Sequence, residues 1–412
     1  MKLARLLGKC FVLAAWIQLG CGISFGAPHP LLVVSLDAFR WDYCDRYPNE
    51  TTNLRRLKHE GASARSLISV YPSNTFPNHY SIATGLRPEH HGMINNSFSD
   101  PEVGKDFRHS DSAAATDPRW WGGEPIWVTA VKQGQPSACS FWVGSEAKVA
   151  GAQPTFWLKF DYSIPFEKRL DQLVGWLTLP EKERPGVVMF YLEETNSVAH
   201  KFGPDSPETA KAIQLLDTRI GVMLDKLKDV GVEPNLVIVS DHGMTKVQSD
   251  RCVALEDLLD LSKVKIEFDG PQVGLRPLDG NVDQLFQTLK KLPAGAIAYR
   301  RENLPAAWHV GDNPRYPPIW IIPQEGGSIS TRKSLLEWLS HTKGEHGYDP
   351  SFPDMQGTLI VHGPDFPSDG RVVPSVENID LYNLFCAVAH LRPAPNDGGE
   401  RLVRELSKEA VP

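Results

Sequence analysis

Short apolar runs recur along the chain, and a polar residue able to bind a metal or act as a nucleophile follows several of them. Leu31–Leu36, Val187–Leu192 and the stretch 235–240 are too short for helices, rich in β-branched residues and free of polar alternation. That is the pattern of strands buried on both faces of a parallel sheet. Between them the apolar spacing turns helical. It predicts helices over 53–60, over 76–84 with Pro77 in the first turn and Gly85 at the end, and over 170–177. The clearest amphipathic helix spans 208–229, with Ala212, Leu215, Leu216, Ile220, Leu224 and Leu227 on one face. Strands alternating with helices in this way predict an α/β fold: a largely parallel central sheet with helices on both faces.

The pattern changes after Met244. Val264–Phe268, a helix over 282–291 and apolar runs at 296–299 and 319–322 are separated by proline and glycine. This predicts a small α+β insertion over about 249–341, with the core made of 27–248 and 342–412. The core resumes with a strand over 358–361 and a helix over 379–391. The pair Lys290-Lys291 reads as the solvated end of the insertion helix.

The first 26 residues have a basic start (Lys2, Arg5, Lys9), an apolar run over 11–20 and small residues before Ala27, the build of a secretory signal peptide. The run is too short to span a bilayer, so an exported protein without a transmembrane span is expected: periplasmic, secreted or otherwise extracytoplasmic. Cys21, preceded by Leu19 and Gly20, leaves a lipid-anchored form as the alternative. The net charge of −7 becomes −10 once Lys2, Arg5 and Lys9 are removed, which argues against a nucleic-acid groove. Removal also leaves four cysteines, Cys44, Cys139, Cys252 and Cys386. That is enough for two disulfides in an exported protein but offers no CxxC pair for zinc.

The chemistry concentrates at the ends of the predicted strands. Asp37 follows the first, and Asp241 and His242 follow the strand at 235–240; two such residues at a strand end need a partner such as a metal. Asn196 and His200 lie four residues apart, one above the other if that segment is helical. Thr75 sits just ahead of the 76–84 helix. There a hydroxyl is either an N-cap or a nucleophile aimed at a phosphate on the helix N-terminus. Polar residues from several strand ends converge on one crevice in such folds, and together they read as a two-metal hydrolase.

Taken together these residues resemble the nucleotide pyrophosphatase/phosphodiesterase family of the alkaline phosphatase superfamily. The resemblance rests on Pro72-Ser-Asn-Thr-Phe-Pro-Asn-His-Tyr80, Thr84-Gly-Leu-Arg-Pro88, His90-His-Gly92, Gly203-Pro204, Ser240-Asp-His-Gly-Met244 and Gly344-Glu-His-Gly-Tyr348. It implies an alkaline phosphatase-like fold and two zinc ions. One zinc would be held by Asp37, Thr75, Asp241 and His242, the other by Asn196, His200 and His346. It also implies Thr75 as the nucleophile of a phosphothreonine intermediate, Asn96 on a phosphate oxygen, and Phe76 and Phe160 stacking a nucleobase. By their residues alone, Asn96 is a turn residue and the two phenylalanines are core. The implied activity is cleavage of phosphodiester or pyrophosphate bonds of nucleotides, with a choline-type (lyso)phospholipid as the alternative substrate. Thr75 departs from the Ser or modified Cys of the phosphomonoesterase and sulfatase branches. The family has Asp where this chain has Asn196, which weakens that metal site and raises a third reading, a catalytically impaired phosphate-binding relative. Glu193 or Glu194 could supply the missing charge, although both read as a solvated strand end.

Overall fold

The computed structural model describes residues 29–289, 292 and 295–408. The predicted signal peptide, Cys21 and the Lys290-Lys291 pair lie outside the described residues. The central sheet has eight strands: β1 (Leu31–Leu36), β2 (Ala62–Ala64), β3 (Ser137–Ser140), β4 (Phe156–Leu158), β5 (Val187–Leu192), β6 (Asn235–Val239), β7 (Leu359–His362) and β8 (Val372–Val373), in the order β8-β2-β7-β6-β1-β5-β3-β4. Pairing is parallel from β6 through β4. β7 runs antiparallel to both of its neighbours, so the sheet is mixed at one side.

β1, β5 and β6 are buried at every position. Alternate side chains of β1 therefore serve two separate cores. Leu32, Val34 and Leu36 face α1 (Thr52–Glu60), α3 (Phe166–Leu177) and α5 (Pro207–Asp229). Leu31 and Val33 belong to the opposite core, with α2 (Thr75–Thr84) and α6 (Leu381–Val388). A short helix, α4 (Glu194–Phe202), leads from β5 into α5. The cover on one face is fixed by a buried acid: Asp217 of α5 accepts hydrogen bonds from the Asn53 and Leu54 N–H groups at the start of α1.

The helices predicted over 53–60 and 76–84 each begin one residue earlier, so Thr75 is the first helical residue and Asn74 takes the N-cap position. The predicted helix over 379–391 is shorter. A turn at Asn378–Asp380 precedes α6, and His390 takes a left-handed conformation with φ 53° beyond its end. Within 249–341 a four-stranded antiparallel sheet has its own core around Leu275, Ile319 and Ile321. Its strand Val273–Pro277 carries Gly274 and Pro277 and has little strand propensity; pairing with Ile319–Pro323 imposes the conformation. The helix Arg332–His341 also went unpredicted.

The two disulfides that the cysteine count allows do not form, since Cys44, Cys139, Cys252 and Cys386 are all free thiols. Cys44 lies in one core, and Cys139 and Cys386 lie in the other, where they pack as small apolar residues. Burial pushes the thiols of Cys44 and Cys386 up to about 12. A reductant is therefore expected to leave the melting temperature within about 1 °C. A fall of several degrees, the signature of losing a bond that contributes about 2–5 kcal/mol, would show that a disulfide is present.

Candidate active site

The parallel register aligns Leu36 with Leu192 and Ser35 with Val239, so β6, β1 and β5 end at one level. Asp37, the start of α4 and the Ser240-Asp241-His242 segment therefore emerge side by side at the carboxyl edge of the sheet. Asp37 turns inward through Ala38, which holds φ 56°, a strained value for a residue other than glycine. The Ala38 N–H donates to Asp241 Oδ1 at 3.2 Å, and the Phe39 N–H donates to Ser240 Oγ at 2.9 Å. Glycine is required beside two of the histidines. A Cβ at Gly243 would lie 2.1 Å from the Asp354 carbonyl oxygen, and one at Gly347, where φ is 100°, would lie 2.6 Å from Asn74 Oδ1.

Seven residues expected at the site meet there. Asp37, Thr75, Asn196, His200 and His346 line a cavity of about 540 Å³, and Asp241 and His242 are fully buried next to Asp37 and Thr75. Thr75 Oγ1 is 3.2 Å from His242 Nε2, which is 3.6 Å from Asp37 Oδ1 and 3.0 Å from Asp241 Oδ2. The His242 and His346 rings stack at 3.7 Å, and His200 and His346 are 5.0 Å apart between centroids. Asn196 and His200 share one face of α4, as their spacing predicts.

All three imidazoles are oriented in the same way. Nδ1 of His200, His242 and His346 each lies 2.9 Å from a main-chain carbonyl, that of Gly344, Gly243 and Ser73 respectively. A carbonyl only accepts, so each Nδ1 carries a proton, and Nε2 is the ring atom left to bind a metal once it is unprotonated. The oxygens match them. Tyr191 donates its hydroxyl to Asp37 Oδ2, leaving Asp37 Oδ1 without a hydrogen-bond partner; Asn196 Oδ1 is likewise buried and unpartnered, and buried Asp241 Oδ2 faces only the ring nitrogens of His242 and His79. His79 Nδ1 approaches Asp241 Oδ2 to 3.2 Å, but it is also 3.0 Å from the Thr75 carbonyl, and its Nε2 is occupied by Ser35 Oγ.

Such a cluster without a cation must hold protons instead. Burial, with Asp241 second, pushes Asp37 up to about 7. Burial works against charge on His242, yet Asp241 and Asp37 overcome it and push His242 up to about 9. His346 moves the other way, well below the usual imidazole range, through burial and the neighbouring His242 and His200. Asp37, Asp241 and His242 form one group able to hold a metal, and His200 and His346, with Glu345 close to the rings of both, mark a second. Orphaned oxygens and aligned Nε2 atoms fit a pair of divalent ions.

Asn96 Oδ1 accepts from the Phe76 N–H at 2.9 Å, which turns its amide nitrogen toward the cavity that it lines. Phe76 is half-buried against Phe107, His109 and Trp121. Phe160 is not core: it is 38% exposed and packs against Phe141, Tyr162 and Tyr191. Both rings line the cavity. Glu193 and Glu194 are not solvated. Buried Arg169 pairs with both at 3.3 and 3.9 Å, and Arg219 pairs with Glu194, so neither is free to replace a carboxylate at position 196. Sequence reasoning missed Tyr191, His79, His109 and Tyr162; a polar residue inside a buried strand was the signal available for Tyr191. Two segments have the sequence of glycosylation sequons, Asn49-Glu-Thr51 and Asn95-Asn-Ser97: Asn49 is exposed, whereas Asn95 is 4% exposed and accepts a hydrogen bond from Asn74 beside the site.

Residues 31–349 match the family model described as type I phosphodiesterase/nucleotide pyrophosphatase. The chain is 36% identical over 396 residues to a venom phosphodiesterase of the rattlesnake Crotalus durissus collilineatus, covering 92% of this chain and 46% of that protein. It is also 36% identical to mouse ectonucleotide pyrophosphatase/phosphodiesterase family member 1, over 95% of this chain and 44% of that protein. The chain thus spans about half the length of these relatives. The solved structure of an inactive threonine-to-alanine variant of murine ectonucleotide pyrophosphatase/phosphodiesterase 5, in complex with AMP, superposes with a TM-score of 0.86 at 30% identity, covering 92% of this chain and all of that one. By fold, by site geometry and by this likeness, the chain belongs to the nucleotide pyrophosphatase/phosphodiesterase family.

Proposed function

We propose that the chain is an exported two-zinc hydrolase that cleaves phosphodiester or pyrophosphate bonds of nucleotides through a phosphothreonine at Thr75. The observation that carries this reading is the position of Thr75 Oγ1 at the start of α2, 3.2 Å from His242 Nε2, which in turn lies 3.6 Å from Asp37 Oδ1 and 3.0 Å from Asp241 Oδ2. Asp37, Thr75, Asp241 and His242 would hold one zinc, and Asn196, His200 and His346 the other. When bound, zinc supplies Lewis acidity that activates oxygen nucleophiles at neutral pH and neutralises phosphate charge. Thr75 Oγ1 forms a bond to phosphorus as the bond to the leaving alcohol or nucleotide breaks, and water then hydrolyses the threonine ester. The positive end of the α2 dipole and the amide nitrogen of Asn96, whose Oδ1 is held by the Phe76 N–H, orient the non-bridging oxygens.

Phe76 and Phe160 are proposed to take the base. An aromatic cluster open to the cavity favours a flat ring as ligand, and the murine relative is described with AMP bound. The relatives' names, a venom enzyme and ecto-enzymes, agree with the export signal in the sequence. Among the described residues no helix is long and apolar enough to cross a membrane.

Thr75→Ala is expected to lower cleavage of p-nitrophenyl thymidine monophosphate by at least about 10³-fold with zinc content unchanged; retained cleavage would remove Thr75 from the role of nucleophile. Phe160→Ala should raise KM for nucleotide substrates by about 3- to 10-fold with little change in kcat, while leaving hydrolysis of a phosphocholine ester unaltered. Equal losses on both substrates would count against base stacking.

Zinc binding needs Asp37 ionised and His242 neutral. The metal-free protein keeps a proton on Asp37 below about 7 and on His242 below about 9. Protons therefore compete with zinc at low pH, and affinity should rise with pH from 6 to 9 as the metal displaces them. Calorimetry in buffers of different ionisation enthalpy checks the proton release; a flat affinity with no release would place the metal elsewhere.

A further inference from the structure

The two groups of donors differ in charge. Asp37 and Asp241 bring two carboxylates to one, whereas Asn196, His200 and His346 bring an amide and two neutral imidazoles to the other. A divalent ion on the second set would have no anionic direct donor to offset its charge. The carboxylate that accompanies those two histidines is Glu345, which has an oxygen within 4.8 Å of a ring nitrogen of each. Its chain position is fixed by the antiparallel pairing of Gly344–Glu345 with Thr245–Lys246, just beyond His242.

The side chain is held as well. Glu345 Oε1 accepts from the His346 N–H at 3.0 Å, and Oε2 accepts from Trp338 Nε1 at 3.2 Å. Oε1 lies 3.8 Å from His200 Nδ1, and the side chain is 14% exposed. It thus flanks the edge of the His200 ring whose Nδ1 donates to the Gly344 carbonyl, leaving Nε2 for the cavity. Among the described residues, no lysine or arginine neutralises Glu345, whereas Glu193 and Glu194 are held by Arg169 and Arg219.

We propose that Glu345 is a positioning residue for the second metal site, supplying from behind His200 the negative charge that Asn196, His200 and His346 lack. A carboxylate there orients the ring, makes Nε2 a stronger donor and lowers the potential at the ion. The inference rests on the two-metal reading above.

The test is titration of the metal-free full-length chain with Zn²⁺ alone against a competing chelator, in wild type, Glu345→Gln, Glu345→Asp, Asn196→Asp and the double variant Asn196→Asp/Glu345→Gln. Wild type is expected to bind two zinc ions. Glu345→Gln should weaken one site by about tenfold and leave the other within twofold, and Glu345→Asp should recover part of the loss. The effect of Glu345→Gln should shrink when Asn196→Asp restores a direct carboxylate. Two ions bound by Glu345→Gln with wild-type affinities would overturn the inference and leave the two-metal reading standing. Equal weakening of both sites together with a lower melting temperature of the metal-free protein would also overturn it, by making Glu345 structural. One ion in wild type and two in Asn196→Asp would show that Glu345 does not compensate. One ion or none in both would overturn the inference and the two-metal reading together.

Discussion

Three buried parallel strands that stop at one level set the geometry on which the rest of the site depends. β6, β1 and β5 are paired in register, and Asp37, the head of α4 and the Ser240-Asp241-His242 turn leave their ends as neighbours. A shift of one residue in any pairing would turn each alternating side chain into the wrong core, so the same hydrophobic packing that stabilises the sheet fixes the spacing of the polar residues beyond it. The chemistry inherits its precision from the core. Contacts at Gly243 and Gly347 then hold the histidine turns with tolerances smaller than a methyl group.

Much of this was legible because each signal was local. Continuous apolar runs marked the buried strands, 3.6-residue spacing marked the helices, and a donor directly after a strand marked the crevice. The four-residue interval between Asn196 and His200 correctly implied a shared helical face. What escaped was non-local. β7 is as apolar as its neighbours, and nothing in its residues says that it runs antiparallel to them. Val273–Pro277 is a strand only because Ile319–Pro323 pairs with it. Glu193 and Glu194 look solvated until Arg169 and Arg219, distant in sequence, are folded over them. Phe160 could be placed in the core or in the cavity by its type alone, and its exposure decides for the cavity.

The electrostatic design is lopsided. In one half of the site, two carboxylates and an imidazole lie so close together that, without a cation, protons take its place on Asp37 and His242. In the other half the direct donors carry no negative charge, and burial, with His242 next, holds His346 well below the usual imidazole range. Arginine pairs lock away the two acids next to Asn196, so the charge balance of the weaker half falls to groups outside its first ring of contacts.

The burial of Asn95 has a consequence for how the chain is made. Its sequon is intact, but its side chain is packed against Asn74 at the edge of the catalytic crevice, with no room for a sugar. Oligosaccharide transfer acts on nascent chains before they fold. A eukaryotic secretory host would therefore find this asparagine while it is still accessible, and a glycan attached there would keep the loop from closing against the start of α2. The native packing of Asn95 and a glycan on it are therefore mutually exclusive states of the same residue.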